Sequence, residues 1–304
     1  MTLIKNISGF RGTVGGPPKE NLTPFDVVTS VSAFCKFLKE KHGDKELIVT
    51  TGRDGRATGE NFHTIVNRTI SLMGINVIDA GLSTTPTLCW GVLNNDSIGG
   101  IMITASHNPE EYNGLKFFNE DGEFLSREDM NKVIEYSNST DFEYQNTMNL
   151  GSINIHKNLI EDHVDDILKL DIIPVEKIRS MDINIVVDGI NSGGAIAIPL
   201  LLDKLSIKYK LINGEILGKF SHTPEPLLEN LTELSKEVKK EKADFGIAVD
   251  PDVDRLVFFD ENGDIFGEEY TQVVCSDYVL SNKKGNVVST LSSSNAMRDI
   301  ASHY

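Results

Sequence analysis

The chain has 304 residues, 39% of them hydrophobic and 24% charged, an ordinary balance for a globular protein with room for about two domains. Its formal net charge of −16 argues against nucleic acid or an anionic membrane as partner, and any anion site must be built from local cations. No apolar run approaches the roughly 20 residues that span a bilayer, and the first residues lack a signal-peptide core, so the expected compartment is the cytoplasm. The three cysteines, Cys35, Cys89 and Cys275, have neither disulfide-framework nor metal-site spacing and read as buried structural residues.

In chain order, Ser8 to Gly16 is a glycine-rich segment whose Arg11 offers a planar cation suited to phosphate; the same composition also fits a plain flexible loop. Thr23-Pro24-Phe25-Asp26 opens a helix, with Thr as cap, Pro at the first position and Asp completing a variant capping box. Val27, Val31, Phe34, Phe37 and Leu38 share its apolar face. Ile48–Thr51 reads as a buried strand, followed by a glycine- and arginine-bearing loop through Arg56 and a helix over 57–73. Further strands are expected at Ile75–Ile78, Gly99–Thr104, Ile183–Asp188, Phe245–Asp250 and Asn286–Ser289. Helices are expected at 127–137, 157–169, 193–205, 227–242, 267–281 and 294–303. The polar stretch 138–152 reads as a link between domains, and the prolines of His222-Thr-Pro-Glu-Pro as a stiff turn. Such alternation means α/β layers.

Three segments share a strand–loop–helix design, starting at Ile48, Ile185 and Val287. Leu115-Lys-Phe-Phe-Asn-Glu-Asp-Gly echoes Leu256-Val-Phe-Phe-Asp-Glu-Asn-Gly, each a strand ending in a hairpin signal. The echo predicts repeated α/β domains, with boundaries after residue 152 and near Arg255. Cations beside glycines that could form an anion site are Arg11, Arg53, Arg56, Lys116 and Arg255.

Two motifs carry chemistry. Thr104-Ala105-Ser106-His107-Asn108-Pro109 follows an apolar strand, and Lys116 comes ten residues after the serine. A hydroxyl beside a proton carrier and a cation suits phosphoryl transfer or nucleophilic chemistry; a turn-capping serine is the plain alternative. Asp250-Pro251-Asp252-Val253-Asp254-Arg255 places three carboxylates at alternate positions, where they can converge on a hard cation such as Mg²⁺. An EF-hand is excluded by Arg255 where that loop needs glycine, and by the strand-like flanks. A merely solvated acidic turn leaves the crowded charges unopposed. A phosphorylated serine carries ~−1.5 to −2 charge and would face such a metal. Asp250-x-Asp252 after an apolar strand also fits an aspartate-nucleophile phosphatase, and a non-catalytic sugar-phosphate-binding protein is a further reading. A nucleophile elbow, a Walker A loop and a correctly placed dinucleotide fingerprint are all missing.

In combination these motifs resemble the α-D-phosphohexomutase superfamily, which includes phosphoglucomutase, phosphomannomutase and phosphoglucosamine mutase. The matching pieces are Ser8–Gly12, Gly52–Arg56 with Thr58-Gly59, Thr104–Pro109 with Tyr112-Asn113-Gly114 and Lys116, Asp188–Gly193, Pro224-Glu225-Pro226 and Asp250–Arg255. The resemblance implies α/β domains with mixed sheets covered by helices. Their ranges would be 1–152 with the serine loop, 153–255 with the metal loop, and 256–304 as an incomplete third domain. It implies a phosphoserine at Ser106 and Mg²⁺ held by Asp250, Asp252, Asp254 and the Ser106 phosphate. Arg11 and Lys116 would act at the transferring oxygen, Arg255 would anchor the metal loop or a phosphate, and His107 would support the serine loop. The substrate would be a hexose phosphate, interconverted between its 1- and 6-phosphates through a hexose 1,6-bisphosphate. The family's Glu-x-Ser-Gly-His and Arg-x-Ser-Gly-Thr signatures are missing, so the resemblance places full activity in a longer, four-domain protein. Pro251 stands where many members have glycine.

Overall fold

The computed structural model describes residues 1–43 and 46–304. The first unit comprises β1 (Ile4–Asn6), β2 (Gly9–Thr13), α1 (Pro24–His42), β3 (Ile48–Arg53), α2 (Gly59–Leu72), β4 (Asn76–Leu82), α3 (Thr85–Asn94), β5 (Gly99–Ile103), β6 (Tyr112–Phe118), α4 (Arg127–Ser137) and β7 (Ile153–Ile155). Among the described residues its strands form one sheet in the order β1-β2-β6-β5-β3-β4-β7. The neighbours from β5 through β7 run parallel, whereas β6, β2 and β1 join antiparallel. A single core gathers Val27, Val31, Phe34 and Leu38 of α1 with Val49, Ile101 and Phe117 of the sheet. The α1 capping box forms as its sequence requires, with Thr23 and Asp26 exchanging side-chain-to-backbone bonds. Strand β5 is buried along its whole length, and its glycines make room for helices on both faces. A Cβ on Gly99 would lie 3.1 Å from the Phe34 ring, and one on Gly100 2.7 Å from Val92.

The second unit comprises α5 (Leu159–Ile167), α6 (Val175–Arg179), β8 (Asn184–Asp188), α7 (Gly194–Lys204), β9 (Lys208–Ile212), α8 (Thr232–Glu241), β10 (Phe245–Val249), β11 (Leu256–Phe259) and β12 (Ile265–Phe266). Helices α9 (Glu268–Asn282) and α10 (Ala296–His303) follow and pack on each other. The second sheet runs β12-β11-β10-β8-β9. Its four strands β11-β10-β8-β9 repeat β6-β5-β3-β4 of the first, in the same chain order and with the same single antiparallel neighbour. The repeated α/β design expected from the sequence is therefore built into both sheets.

Strand β7 pairs with β4, and Arg255 sits between the paired strands β10 and β11. Several expectations change. The stretch 138–152 is no free link. Phe142 packs on the first core, Tyr144 bonds Ser32 at 2.9 Å, and Gly151 donates to Ser71. Residues 286–289 form no strand; no neighbouring strand pairs with them and Val288 stands 94% exposed. Ser8 to Gly16 is not simply a loop, because β2 is held between β1 and β6. Cys35 is buried, but Cys89 is half-buried and Cys275 exposed.

Candidate active site

Ligands of α/β sheets collect beyond the carboxyl ends of parallel strands. Here both sheets send their carboxyl-end loops to a common seam. The loop after β5 carries Ser106 and the loop after β10 carries the aspartates, so the two key loops occupy equivalent places in the two repeats.

The serine loop is fixed from below. Ser106 has φ +49°, a left-handed conformation that persists only where surroundings enforce it. Its N–H donates to Thr104 Oγ1 at 2.8 Å, and the Thr104 hydroxyl donates to Asp54 Oδ2 at 2.7 Å. Arg56, only 2% exposed, threads beneath the loop. Its Nε donates to Asp54, Nη1 to the carbonyls of Pro109 and Tyr112, and Nη2 to those of Ser106 and Asn108, all at 2.6–3.0 Å. Strand β6 passes close by at Gly114, where a Cβ would meet the carbonyls of Phe10 and Thr104 at 2.6 Å.

The aspartate loop turns sharply through Val253 (φ +63°). Asp250 Oδ1 accepts the backbone N–H groups of Asp254 and Arg255, both at 3.1 Å. Its Oδ2 accepts the Ser106 hydroxyl at 2.8 Å, a bond that spans the two repeats. Asp250, Asp252 and Asp254 each bring an oxygen within 4.8 Å of the others. Lys116 Nζ lies 2.6 Å from both Asp252 Oδ2 and Asp254 Oδ2. Thr85, at the start of α3, donates its hydroxyl to the same Asp252 oxygen and its N–H to the Asp252 carbonyl. Burial and the charges of Asp252 and Asp254 push the Asp250 carboxyl well above the usual carboxylate range. Burial opposes ionisation of Asp252 too, but Lys116 and the hydroxyl of Thr85 outweigh it and hold that carboxyl low. Burial likewise works against the Lys116 ammonium, and the two aspartates overcome it.

A divalent cation fits this donor set. The three carboxylates offer hard oxygens of the kind Mg²⁺ takes, and Asp252 Oδ1 is buried without a hydrogen-bond partner among the described residues. A buried, unsatisfied carboxylate oxygen is costly, and a metal would satisfy it.

A cavity of about 350 Å³ opens beside these loops, lined by Arg11, Ser106, His107, Lys116 and Arg255 among others. The His107 Nδ1 is 3.3 Å from Ser106 Oγ; burial first, then the nearby Arg255, lowers its pKa. Arg11 donates to Asn108 at 3.2 Å, and Arg255 lies 3.8 Å from Glu225 of the Pro224-Glu225-Pro226 turn. The structure thus assembles Ser106, His107, Lys116, Arg11, Arg255 and the aspartates in one place. Arg53 and Arg56 are the exceptions. Arg56 spends its donors on the serine loop, Arg53 donates to the Asp54 carbonyl, and neither lines the cavity. Sequence reading missed Thr85, whose Thr84-Thr85-Pro86 context does carry a helix-start signal. Asp54, Thr104 and Ser192 lie inside the matching motifs, but the sequence assigns them no role, because each also acts through a partner distant in the chain.

Known proteins resemble this chain in sequence and in fold. The family model "phosphoglucomutase/phosphomannomutase, alpha/beta/alpha domain I" matches residues 3–144, and that for domain II matches 161–263. The chain belongs to the phosphoglucomutase/phosphomannomutase family. A phosphoglucomutase/phosphomannomutase of Thermococcus kodakarensis is 35% identical over 95% of this chain and 64% of its own length. A phosphoglucosamine/phosphogalactosamine mutase of Sulfurisphaera tokodaii is 32% identical over 100% of the chain and 66% of its own. This family member thus spans slightly under two thirds of the length of these relatives. Among solved structures, a family protein from Burkholderia thailandensis superposes with a TM-score of 0.79 at 23% identity, over 98% of this chain and 64% of that one. Paramecium pp63/parafusin, a phosphoglucomutase in its open form, superposes with a TM-score of 0.82 at 18% identity, over 100% and 62%. At these identities the likeness establishes the fold. Among the described residues no helix is long and apolar enough to cross a membrane.

Proposed function

We propose that this chain supplies the phosphoryl-carrying part of a hexose phosphate mutase, interconverting hexose 1- and 6-phosphates through a bisphosphorylated sugar. The observation that carries the reading is the 2.8 Å bond from Ser106 Oγ to Asp250, which sets a hydroxyl against a carboxylate triad contributed by the other repeat. Ser106 carries the phosphoryl group as its phosphate ester. Asp250, Asp252 and Asp254 hold Mg²⁺, which when bound neutralises charge on the phosphoryl oxygens. Phosphoryl transfer depends mainly on in-line positioning and charge stabilisation, and the chain's own residues supply both. Arg56 and Thr104 fix the Ser106 backbone so that Oγ faces the cavity. Arg11 and Lys116 approach from the adjacent strands β2 and β6, where Arg11 pairs with Gly114. There they bear on the oxygen between donor and acceptor, with Lys116 placed to exchange its proton. Arg255 draws the substrate's phosphate to the cavity, and His107, 3.3 Å from Ser106 Oγ, supports the serine loop. A hexose 1,6-bisphosphate gives up one phosphate to Ser106, leaving a monophosphate; the reverse step regenerates the bisphosphate. The cytoplasm, where sugar phosphates are metabolised, is the compartment consistent with the reading.

The aspartate-nucleophile reading is disfavoured because Ser106 lines the cavity and Asp250 does not. The test is to incubate the protein with Mg²⁺ and glucose 1,6-bisphosphate, then map the phosphorylated residue by mass spectrometry. The expected label is on Ser106, absent from Ser106→Ala, whose mutase turnover is also abolished. Label on Asp250, or undiminished turnover in Ser106→Ala, overturns the proposal.

A further inference from the structure

The serine loop belongs to the first sheet and the aspartate loop to the second, so no stretch of backbone fixes the gap between them. On the reading above, a metal and a phosphate must fit that gap. We propose that Ser192 is the positioning residue that sets it. The residue lies between β8 and α7 and is fully buried. Its hydroxyl accepts the Gly55 N–H at 2.8 Å and donates to the Pro251 carbonyl at 2.5 Å. Gly55 directly precedes Arg56, whose guanidinium grips the serine loop. Pro251 lies between Asp250 and Asp252. One hydroxyl, with a donor on one side and an acceptor on the other, therefore ties the two loops together.

The surroundings leave that hydroxyl little freedom. A Cβ on Gly55 would meet the Asn191 carbonyl at 2.7 Å and Ser192 Cα at 2.8 Å; one on Gly193 would meet the Ser83 carbonyl at 2.6 Å. The backbones of the two repeats are thus in direct contact on both sides of Ser192. The preceding residues, Ile190 and Asn191, have φ +44° and +52°, conformations held only where neighbours over-determine them. Asn191 is pinned at three polar groups: its N–H to Asn213, its amide to the Glu215 carbonyl, and its side-chain oxygen by Ser221. The strained turn presents Ser192 to the seam in one orientation.

The inference rests on the proposed Ser106 phosphate and Mg²⁺, and its test separates the two. Mg²⁺ is titrated calorimetrically into protein phosphorylated at Ser106 and into dephosphorylated protein. Wild type, Ser192→Ala, Ser192→Cys and Val238→Ala are compared. Val238, buried on α8 in the second core, controls for lost stability. In wild type, phosphorylation tightens Mg²⁺ binding because both loops then contribute. Ser192→Ala reduces this gain by about five- to tenfold, the loss of one to two ordinary hydrogen bonds. Ser192→Cys, a weak donor and acceptor, falls between, and Val238→Ala keeps the gain while melting at lower temperature. An undiminished gain in Ser192→Ala, or an equal loss of affinity in both phosphorylation states, overturns the inference alone. Wild type that takes no phosphate on Ser106, or binds no Mg²⁺, overturns the proposed function and this inference with it.

Discussion

Arg56 uses all five of its N–H donors inside the protein, one on Asp54 and four on carbonyls of the serine loop. Sequence marks it as a charge beside glycines, which suggests an anion site; only the fold reveals the ring of carbonyls around it. Replacing it by Met leaves Asp54 as a buried unpaired charge and strips the loop of its support. Breaking a buried pair in this way costs roughly 3–5 kcal/mol, to be read from urea unfolding, and Arg56→Lys recovers only part because an ammonium has three donors and no fork. His222 gives a second test. Its Nε2 lies 2.9 Å from Asp188 Oδ2 and its Nδ1 2.8 Å from the Thr223 carbonyl. Burial opposes its charge, but Asp188 outweighs burial and lifts the imidazole above its ordinary 6.5. A folded pKa above the unfolded one stabilises fully below the unfolded value and is lost as pH rises through the folded value. The stability gap between wild type and His222→Gln should therefore be widest below pH ~6 and narrow as pH rises above ~6.5. A gap that widens with rising pH would contradict this pairing.

At the level of elements, the two echoing hairpins adopt the same turn. Asn119 Oδ1 accepts from the N–H groups of Asp121 and Glu123, and Asp260 Oδ1 from those of Asn262 and Asp264. Gly122 and Gly263 take the left-handed position at φ +69° and +67°. Asn119 does this with one neutral oxygen, so Asn119→Asp should change stability by less than about 0.5 kcal/mol. Asp260 also faces Asn262 Nδ2 with its second oxygen, and the backbone N–H of Asp264 favours its charged form, so Asp260→Asn should lower the unfolding midpoint slightly. Asn119→Ala should cost about 1–2 kcal/mol by losing two exposed hydrogen bonds, and Asp260→Ala should lower the midpoint further than Asp260→Asn does. Thermal unfolding of the four variants measures this. The turn was legible because a short polar pattern encodes it locally. The short strands β1, β7 and β12 were not, since their two or three residues carry no periodicity, and β7 exists only through β4, far back in the chain. The opposite failure occurred at 286–289, where β-branched residues signalled a strand that finds no sheet edge.

Across the whole molecule, the serine loop and the aspartate loop were each readable, and their equivalence in two repeats was foreshadowed by the hairpin echo. Their meeting was expected only through the family resemblance, because it depends on which faces of two sheets come together. That meeting makes metal binding a property of the assembled pair. In the folded protein three carboxylates are held within 4.8 Å of one another, and among the described residues Lys116 is the cation ion-paired with them. A cation that binds only this arrangement stabilises folding by RT ln(1 + [L]/Kd), about 2.7 kcal/mol at a hundredfold excess over Kd. Mg²⁺ should raise the unfolding midpoint of the wild type accordingly, and EDTA should reverse the rise. Asp254 is the least buried of the three, so Asp254→Asn perturbs packing least and also removes one like charge. Its metal-free stability should match or exceed that of the wild type, while most of the Mg²⁺-dependent rise disappears. If Asp254→Asn kept the full rise, the cation would be binding somewhere other than the seam. If Asp254→Asn were less stable than the wild type without metal, its pairing with Lys116 would outweigh the repulsion, and charge repulsion would not be the force the cation relieves.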